Sequence, residues 1–343
     1  MTNVPPPMSE LLWRRPVLMP LWQAIPKALA GGQVAFIHTR RATRRLIRAG
    51  QLPFYNRLCP LLADMGYAVA VMPFYRPPYL RWVNKKCLHI YRGPGRPRRE
   101  PGVLHVAKGY IDGYWYVDPM GHREDSGIGA KTFDAKAQDP EISNQFFKQI
   151  RRQNVHKGHS QREQTARGGA DVIEGAIAIM LQRMVPGEAP KDAICTEAEM
   201  IRAIVAVRGD RPVMIKFHPF GATDDVKTAV AEAVNPAEGV HLVDANVHDI
   251  LDAAAMVCTQ TSGVGFEAFL HRTPTLLFAG ADYHHAAIPV GSLDELPDLI
   301  ARAADQKFPY PKYVHWFLEQ NLFRPNAEDF HDRIRPIIEA AAE

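Results

Sequence analysis

The stretch DILDAAAMVCTQTSGVGFEAFLHRTPTLLFAGADYHH, from Asp249 to His285, decides how this chain is read. AAMVCTQ (Ala254 to Gln260) is an apolar run of strand length. A Thr-Ser-Gly-x-Gly turn follows at 261–265. GFEAFLH (Gly265 to His271) has helical spacing, and TPTLLFAG (Thr273 to Gly280) is a further strand. Strand, glycine turn, helix and strand in this order build a parallel sheet.

The same alternation extends on both sides. GAIAIML (Gly175 to Leu181), PVMIKF (Pro212 to Phe217) and VHLV (Val240 to Val243) read as strands. EAEMIRAIVAV (Glu197 to Val207), DVKTAVAEAV (Asp225 to Val234), HDILDAA and SLDELPDLIARAA (Ser292 to Ala304) read as helices. The second half is therefore a doubly wound α/β sheet with right-handed crossovers. In the first half, QVAFIH (Gln33 to His38) and YAVAVM (Tyr67 to Met72) read as strands around a helix through Leu58, Leu61 and Leu62. RGPGRPRREPG (Arg92 to Gly102) reads as a loop, and VLHVAKGY and YWYVDPMG resume strand alternation. Three parts are expected: a basic α/β domain over 1–168, a second α/β domain over 169–310, and a helical tail over 311–343.

Bulk composition agrees. A chain of 343 residues suits two domains of about 150 each. Its 46% apolar and 23% charged residues are those of a globular protein. No apolar run reaches the roughly 20 residues of a membrane span, and Pro and Arg interrupt every short apolar stretch up to Leu29. A cytoplasmic protein is expected. Cys59, Cys87, Cys195 and Cys258 are too scattered for a zinc site or a disulfide framework and read as free thiols. Residues 1–170 hold 27 Lys and Arg against 11 Asp and Glu, the remainder 14 against 26. The basic half suits an anionic lipid or glycan, or simply an acidic second half. Association at the inner face of a membrane is one reading of that charge. Arg40, Arg41, Arg44, Arg45 and Arg48 are candidates to steer an anionic acceptor. No nucleic-acid-binding module accompanies the arginines, so nucleic acid is not an expected partner.

Ligands of open α/β sheets bind beyond the carboxyl ends of the strands. Three loops qualify in the second half: His218-Pro219, Thr261 to Gly265, and Asp282 to His285. In the glycine turn, Gly263 and Gly265 let amides approach an anion at a helix N-terminus. Thr261 and Ser262 add hydroxyls, and Glu267 can accept from a ribose diol. Plain helix capping by Ser or Thr is the alternative. Lys216 and His218 offer a cation and a proton donor to a departing phosphate. Tyr283 and His284 read as donor-sugar contacts, and adjacent histidines without further ligands argue against a metal. In the first half, Asp118, His122, Arg123, Asp125 and Ser126, beside the aromatics of YWYVD, suit a sugar or acceptor. A buried strand ending in a turn suits them equally.

KFHPF and the stretch from Asp249 to His285 resemble the bacterial capsule polysaccharide biosynthesis family that includes the β-Kdo transferases, over roughly residues 171–320. More distantly they resemble sialyltransferases of GT-B type. The resemblance implies the GT-B fold, two Rossmann-type domains facing a cleft. It implies metal-independent transfer of Kdo from CMP-Kdo to a glycolipid or phospholipid, with the CMP-sugar as donor substrate and no cofactor. His218, Thr261, Ser262 and Glu267 carry over as CMP-site residues. The family's Asp nucleophile follows a Gln; here Gln182 precedes RMVPGEAPKDAI, a longer spacing, and Asp192 is the nearest match. Competing functions are a GT-B transferase or epimerase acting on a UDP- or GDP-sugar, and a non-catalytic factor that binds anionic glycan or lipid.

Overall fold

The computed structural model describes residue 12 and residues 14–74, 84–93, 97–160, 164–168, 170–182 and 189–343. The chain forms two compact units. The first comprises the described residues of Met1–Gly109, Gly113–Gly127 and Asn321–Glu343; the second those of Tyr110–Asp112 and Ile128–Gln320.

The first unit holds β1 (Val34–Thr39), β2 (Ala68–Pro73), β3 (Leu88–Arg92), β4 (Val103–Lys108) and β5 (Trp115–Asp118) in the order β2-β1-β3-β4-β5. All pairs are parallel except β4 with β5. This is the flavodoxin-like order, and its direction reverses between β1 and β3. β1 is buried along its whole length because both faces are covered. On one face Ala24 and Ala28 of the helix Leu21–Leu29 pack with Val34, Phe36, Ala70 and Met72. On the other, Ala35, Ile37, Val69 and Val71 meet the helices Pro53–Asp64 and Phe330–Ala342.

The second unit holds β6 (Ile177–Met180), β7 (Val213–Lys216), β8 (Val240–Leu242), β9 (Met256–Thr259), β10 (Thr275–Leu277) and β11 (Ile288–Pro289). They lie in the order β11-β10-β9-β6-β7-β8 and are parallel throughout. Read from β8, this is the 3-2-1-4-5-6 order of a dinucleotide-binding fold, and it reverses between β6 and β9. Strand alternation splits the apolar side chains between two layers. Ile177, Ile179, Val213, Ile215, Met256 and Cys258 face the helices Glu197–Val207, Asp224–Ala233 and Leu296–Ala303. Ala178, Met180, Met214 and Val257 face the helices Val247–Ala253 and Gly263–His271. The helix Glu197–Val207 starts with a reciprocal cap: Thr196 Oγ1 accepts from Glu199 N–H, and Glu199 Oε2 accepts from Thr196 N–H at 2.8 Å.

Two parallel-dominated, doubly wound units in one chain are the components of the GT-B class, as the sequence implies. The expected boundaries at 168 and 310 require correction. The described residues of 128–168 belong to the second unit, where the helix Pro140–Gln153 packs on Tyr310–His315. The expected tail is divided. Tyr310–His315 and a π-helical turn at Trp316–Gln320 stay with the second unit, and the helix Phe330–Ala342 closes the first. The return is anchored by paired backbone bonds between Trp115 and Phe323, each 2.9 Å, and by Arg57 Nη1 donating to Pro325 O at 2.9 Å. The strand β3 was not expected from the sequence, and the segment expected as one helix before β2 is two, Arg41–Arg48 and Pro53–Asp64. All four cysteines are free, three of them buried. Among the described residues no helix is long and apolar enough to cross a membrane.

Phe330, Ile334 and Ile338 recur every fourth residue and are buried. Ile334→Ala should destabilise the protein by about 2–5 kcal/mol. The shift of its urea midpoint, measured with an unchanged m-value, checks this.

Candidate functional site

In the second unit, β6 and β9 run side by side at the reversal, and the residues leaving them stay joined. Thr259 Oγ1 donates to Met180 O at 2.8 Å. Thr261 N–H and Oγ1–H both reach Gln182 Oε1, at 3.1 and 3.2 Å. Gln182 N–H in turn donates to Glu197 Oε1 at 2.8 Å, and Gln260 Nε2 donates to Cys195 O at 2.7 Å.

The helix Gly263–His271 opens from this crevice with Ser262 as its N-cap. Ser262 Oγ accepts from Val264 N–H at a long 3.3 Å, and Ser262 O accepts from Gly265 N–H at 2.9 Å. Ser262 N–H and Gly263 N–H have no protein partner among the described residues. Capping therefore leaves room for an anion: two consecutive amides and the positive end of the helix dipole stay available where the sheet reverses.

β7 borders β6 on the other side. Lys216 is its last residue; it is buried and paired with Asp244 Oδ1 at 3.0 Å. Asp244 is 90% exposed, so solvent screens the pair. His218 follows, half-buried, with Nδ1 accepting from Phe220 N–H at 3.1 Å. The neutral ring then carries its proton on Nε2. With β6 between them, the exits of β7 and β9 are two strand spacings apart, about 10 Å. His218 and Ser262 thus leave the same edge of one sheet.

Glu267 is not the open ribose acceptor that the sequence suggested. It is 4% exposed; Oε1 accepts from Ser160 Oγ at 2.9 Å, and Oε2 has no partner among the described residues. Burial pushes its carboxyl up to about 8, with Asp112 adding a smaller upward push, so the group is largely neutral at pH 7 and can donate as well as accept.

Gly265 is corrected as an anion contact. Its N–H is spent on Ser262 O, and a Cβ there would lie 2.5 Å from Tyr283 Oη, so this glycine makes room for a side chain. Tyr283 is corrected too. It is fully buried, donates to Ser262 O at 2.6 Å and packs edge-on against Phe266 and Phe269. It holds the turn from beneath and does not face a sugar. Asp282 is buried as well and accepts from Tyr110 Oη at 2.8 Å. His284 remains half-buried, with Nδ1–H donating to Ala281 O and its ring stacked on His285.

Asp192 is exposed, in a left-handed turn with φ 55°. Gly280, past the end of β10, donates its N–H to Lys191 O at 2.9 Å. Asp192 therefore sits at the same sheet edge, beside the exit of β10, the strand next to β9. Arg183 to Glu188, in the segment between Gln182 and Asp192, lie outside the described residues.

The other expected contacts belong to the first unit and serve mainly to shape one loop. The Asp118 carboxylate accepts from Met120 N–H at 2.6 Å and from Gly127 N–H at 2.8 Å, closing the loop that contains the rest. Each of its oxygens takes one backbone bond there, in keeping with the strand-and-turn reading of this segment. Arg123 starts a short 3-10 turn with φ 55°, Asp125 pairs with Arg99 at 3.0 Å, and Ser126 is buried. His122 is half-buried, and burial lowers its pKa to about 4. Behind them runs a row the sequence did not reveal. His38, Tyr91, His105 and Asp118 are register partners across β1, β3, β4 and β5. His38 stacks on Tyr91 at 4.1 Å, and burial drives the His38 pKa down to about 2.

Gln182 and Ser160 were missed as site residues. Gln182 lies two residues past the end of β6, where the strand-end rule would have found it. Ser160 reaches Glu267 over 107 positions, and no local signal marks it.

No protein-family model matches this chain, and no curated protein is similar to it. Among solved structures it is similar to the β-Kdo 2,7 transferase of Thermosulfurimonas dismutans KpsC: 16% identity, 79% of this chain and 89% of that one, TM-score 0.48. The β-Kdo 2,4 transferase of the same KpsC covers 79% and 90%, at 15% identity and TM-score 0.47. UDP-GlcNAc 2-epimerase of Methanocaldococcus jannaschii covers 90% and 99%, at 11% identity and TM-score 0.36. At such values, what the site does has to come from its own residues.

Glu267 yields a stability prediction. Unfolded, it ionises near its ordinary 4.5, and folded near about 8, so between these values only the folded state keeps the proton. Its contribution is full at acid pH and is lost as pH rises toward 8. The unfolding free energy of the wild type minus that of Glu267→Gln should fall across this window in urea titrations. A flat or rising difference contradicts the assignment.

Proposed function

We propose that this protein is a glycosyltransferase that holds the nucleotide of an activated sugar at the β6/β9 reversal of its second unit. The observation that carries the reading is the pair of consecutive partnerless amides, Ser262 and Gly263, at a helix N-terminus where strand order reverses. An anion there needs no side chain to move, and it can take the long Val264 contact as well.

The donor we favour is CMP-Kdo. The support is the sequence pattern, Lys-x-His-Pro at one strand end and Thr-Ser-Gly-x-Gly-Phe-Glu-Ala at another, together with the exit of both strands at the same edge of one sheet. As the bond from the anomeric carbon to the CMP phosphate breaks, its electron pair leaves with the phosphate oxygen. The Ser262 and Gly263 amides stabilise that charge, and His218 donates to it through Nε2–H. Asp192, exposed beside the exit of β10, is our candidate for nucleophile or base. The acceptor we infer is a saccharide, glycolipid or phospholipid, drawn to the arginines of the first unit. A UDP- or GDP-sugar enzyme is the second reading, favoured by the same anion site, which binds phosphate irrespective of the base.

In thermal denaturation, CMP should raise the midpoint, while UDP and GDP at equal concentration raise it less. The reverse order selects the second reading. With CMP-Kdo and lipid or saccharide acceptors, His218→Ala should lower turnover by about 10²–10⁴-fold while leaving the fold intact. Unimpaired transfer by that variant removes His218 from the mechanism. Asp192→Asn should lower turnover while leaving the CMP-induced shift unchanged.

A further inference from the structure

The helix Arg41–Arg48 places Arg41, Arg44, Arg45 and Arg48 at i, i+3, i+4 and i+7, one continuous stripe, with Arg40 just before it. The helix contains no acidic residue, and Ile47 alone is fully buried, in the core. Among the described residues no carboxylate pairs with any of the five arginines. Only Arg44 is tied down, donating to Thr39 O at 2.9 Å.

Folding accounts for only part of this stripe. The helix dipole favours Arg45 and Arg48 in the last turn, but like charges at these spacings repel, and Arg41 faces the positive end of that dipole. An external anion relieves both. Guanidinium groups grip phosphate in two-point contacts, so a phosphate-bearing partner fits best.

The apolar neighbours narrow the partner. The chain at Arg15 passes against Gly50, which follows the helix. Met19 N–H then donates to Val69 O on β2, at 2.7 Å. Val17, between these two points, is 88% exposed. Trp22, just beyond them, is 74% exposed, and Leu46, within the arginine helix, 39%. A soluble polyanion uses the arginines but gains nothing from exposed Val and Trp. A lipid surface uses both: headgroup phosphates for the stripe, the interfacial layer for the apolar side chains.

We propose that the edge of the first unit formed by the helix Arg41–Arg48 and the run from Val17 to Trp22 docks on a membrane surface rich in anionic phospholipid. This inference is independent of the nucleotide reading.

The full-length protein is sedimented with two vesicle types, pure phosphatidylcholine and phosphatidylcholine with one-third phosphatidylglycerol. It should bind only the anionic vesicles, and the bound fraction should fall as salt is added. R41A/R45A/R48A should weaken binding roughly 100-fold. R41K/R45K/R48K, which keeps the charge but loses the two-point grip, should bind between the wild type and the alanine variant, and Trp22→Ala should weaken binding severalfold. Far-UV circular dichroism and the CMP-induced thermal shift, unchanged in the arginine variants, separate loss of docking from loss of fold. Equal binding to both vesicle types overturns the proposal. So does wild-type binding by the alanine variant, or capture of soluble polyphosphate without capture of anionic vesicles. Failure of every nucleotide to shift the midpoint, with vesicle binding intact, counts against the proposed function alone.

Discussion

The hydroxyl of Thr259 on the carbonyl of Met180, and the amide and hydroxyl of Thr261 on the side chain of Gln182, tie β9 to β6 where the sheet reverses direction. The arrangement of the strand-end loops in the second unit depends on that junction. Parallel strands that diverge beyond their last ladder bond would let the turn at 261–265 drift. Held here, the turn presents its amides at a fixed place, and Tyr283 fills the space beneath it through the gap that Gly265 leaves. The placement of these amides is thus an outcome of packing as much as of hydrogen bonding.

The parallel sheet of the second unit was legible because its strands are short apolar runs of buried Ile, Val and Met separated by helices with clear periodicity. The strand LHIYR was not, since five residues beside a Pro- and Arg-rich stretch carry no distinctive period. The fate of the segment after 310 was equally hidden. The spacing of Phe330, Ile334 and Ile338 shows that a helix is buried, while the identity of the sheet beneath it depends on contacts distant in sequence.

Residue type and strand-end position placed His218, Thr261, Ser262 and Gly263 at one edge of one sheet, because unpaired amides and strand ends follow from local rules. Those rules cannot report burial. Tyr283 and Glu267 have the polar groups of ligand-binding residues, yet one supports the turn and the other is enclosed with Ser160. Asp118 had two equal readings for a similar reason: a carboxylate in an aromatic, turn-rich segment satisfies its own backbone as readily as a sugar.

The chain leaves the first unit after Gly127 and re-enters it at Asn321, so the second unit is inserted within the first. Ribosomal synthesis runs in one direction, and this fixes an order of maturation. The whole of the inserted unit emerges while the first still lacks the helix Phe330–Ala342, leaving apolar side chains of β4 and β5 such as Leu104, Val106 and Val117 without that cover. Such a nascent intermediate has a sticky apolar face, and holdase chaperones bind faces of that kind. Newly made chains therefore face their greatest hazard of clumping just before translation reaches the final helix.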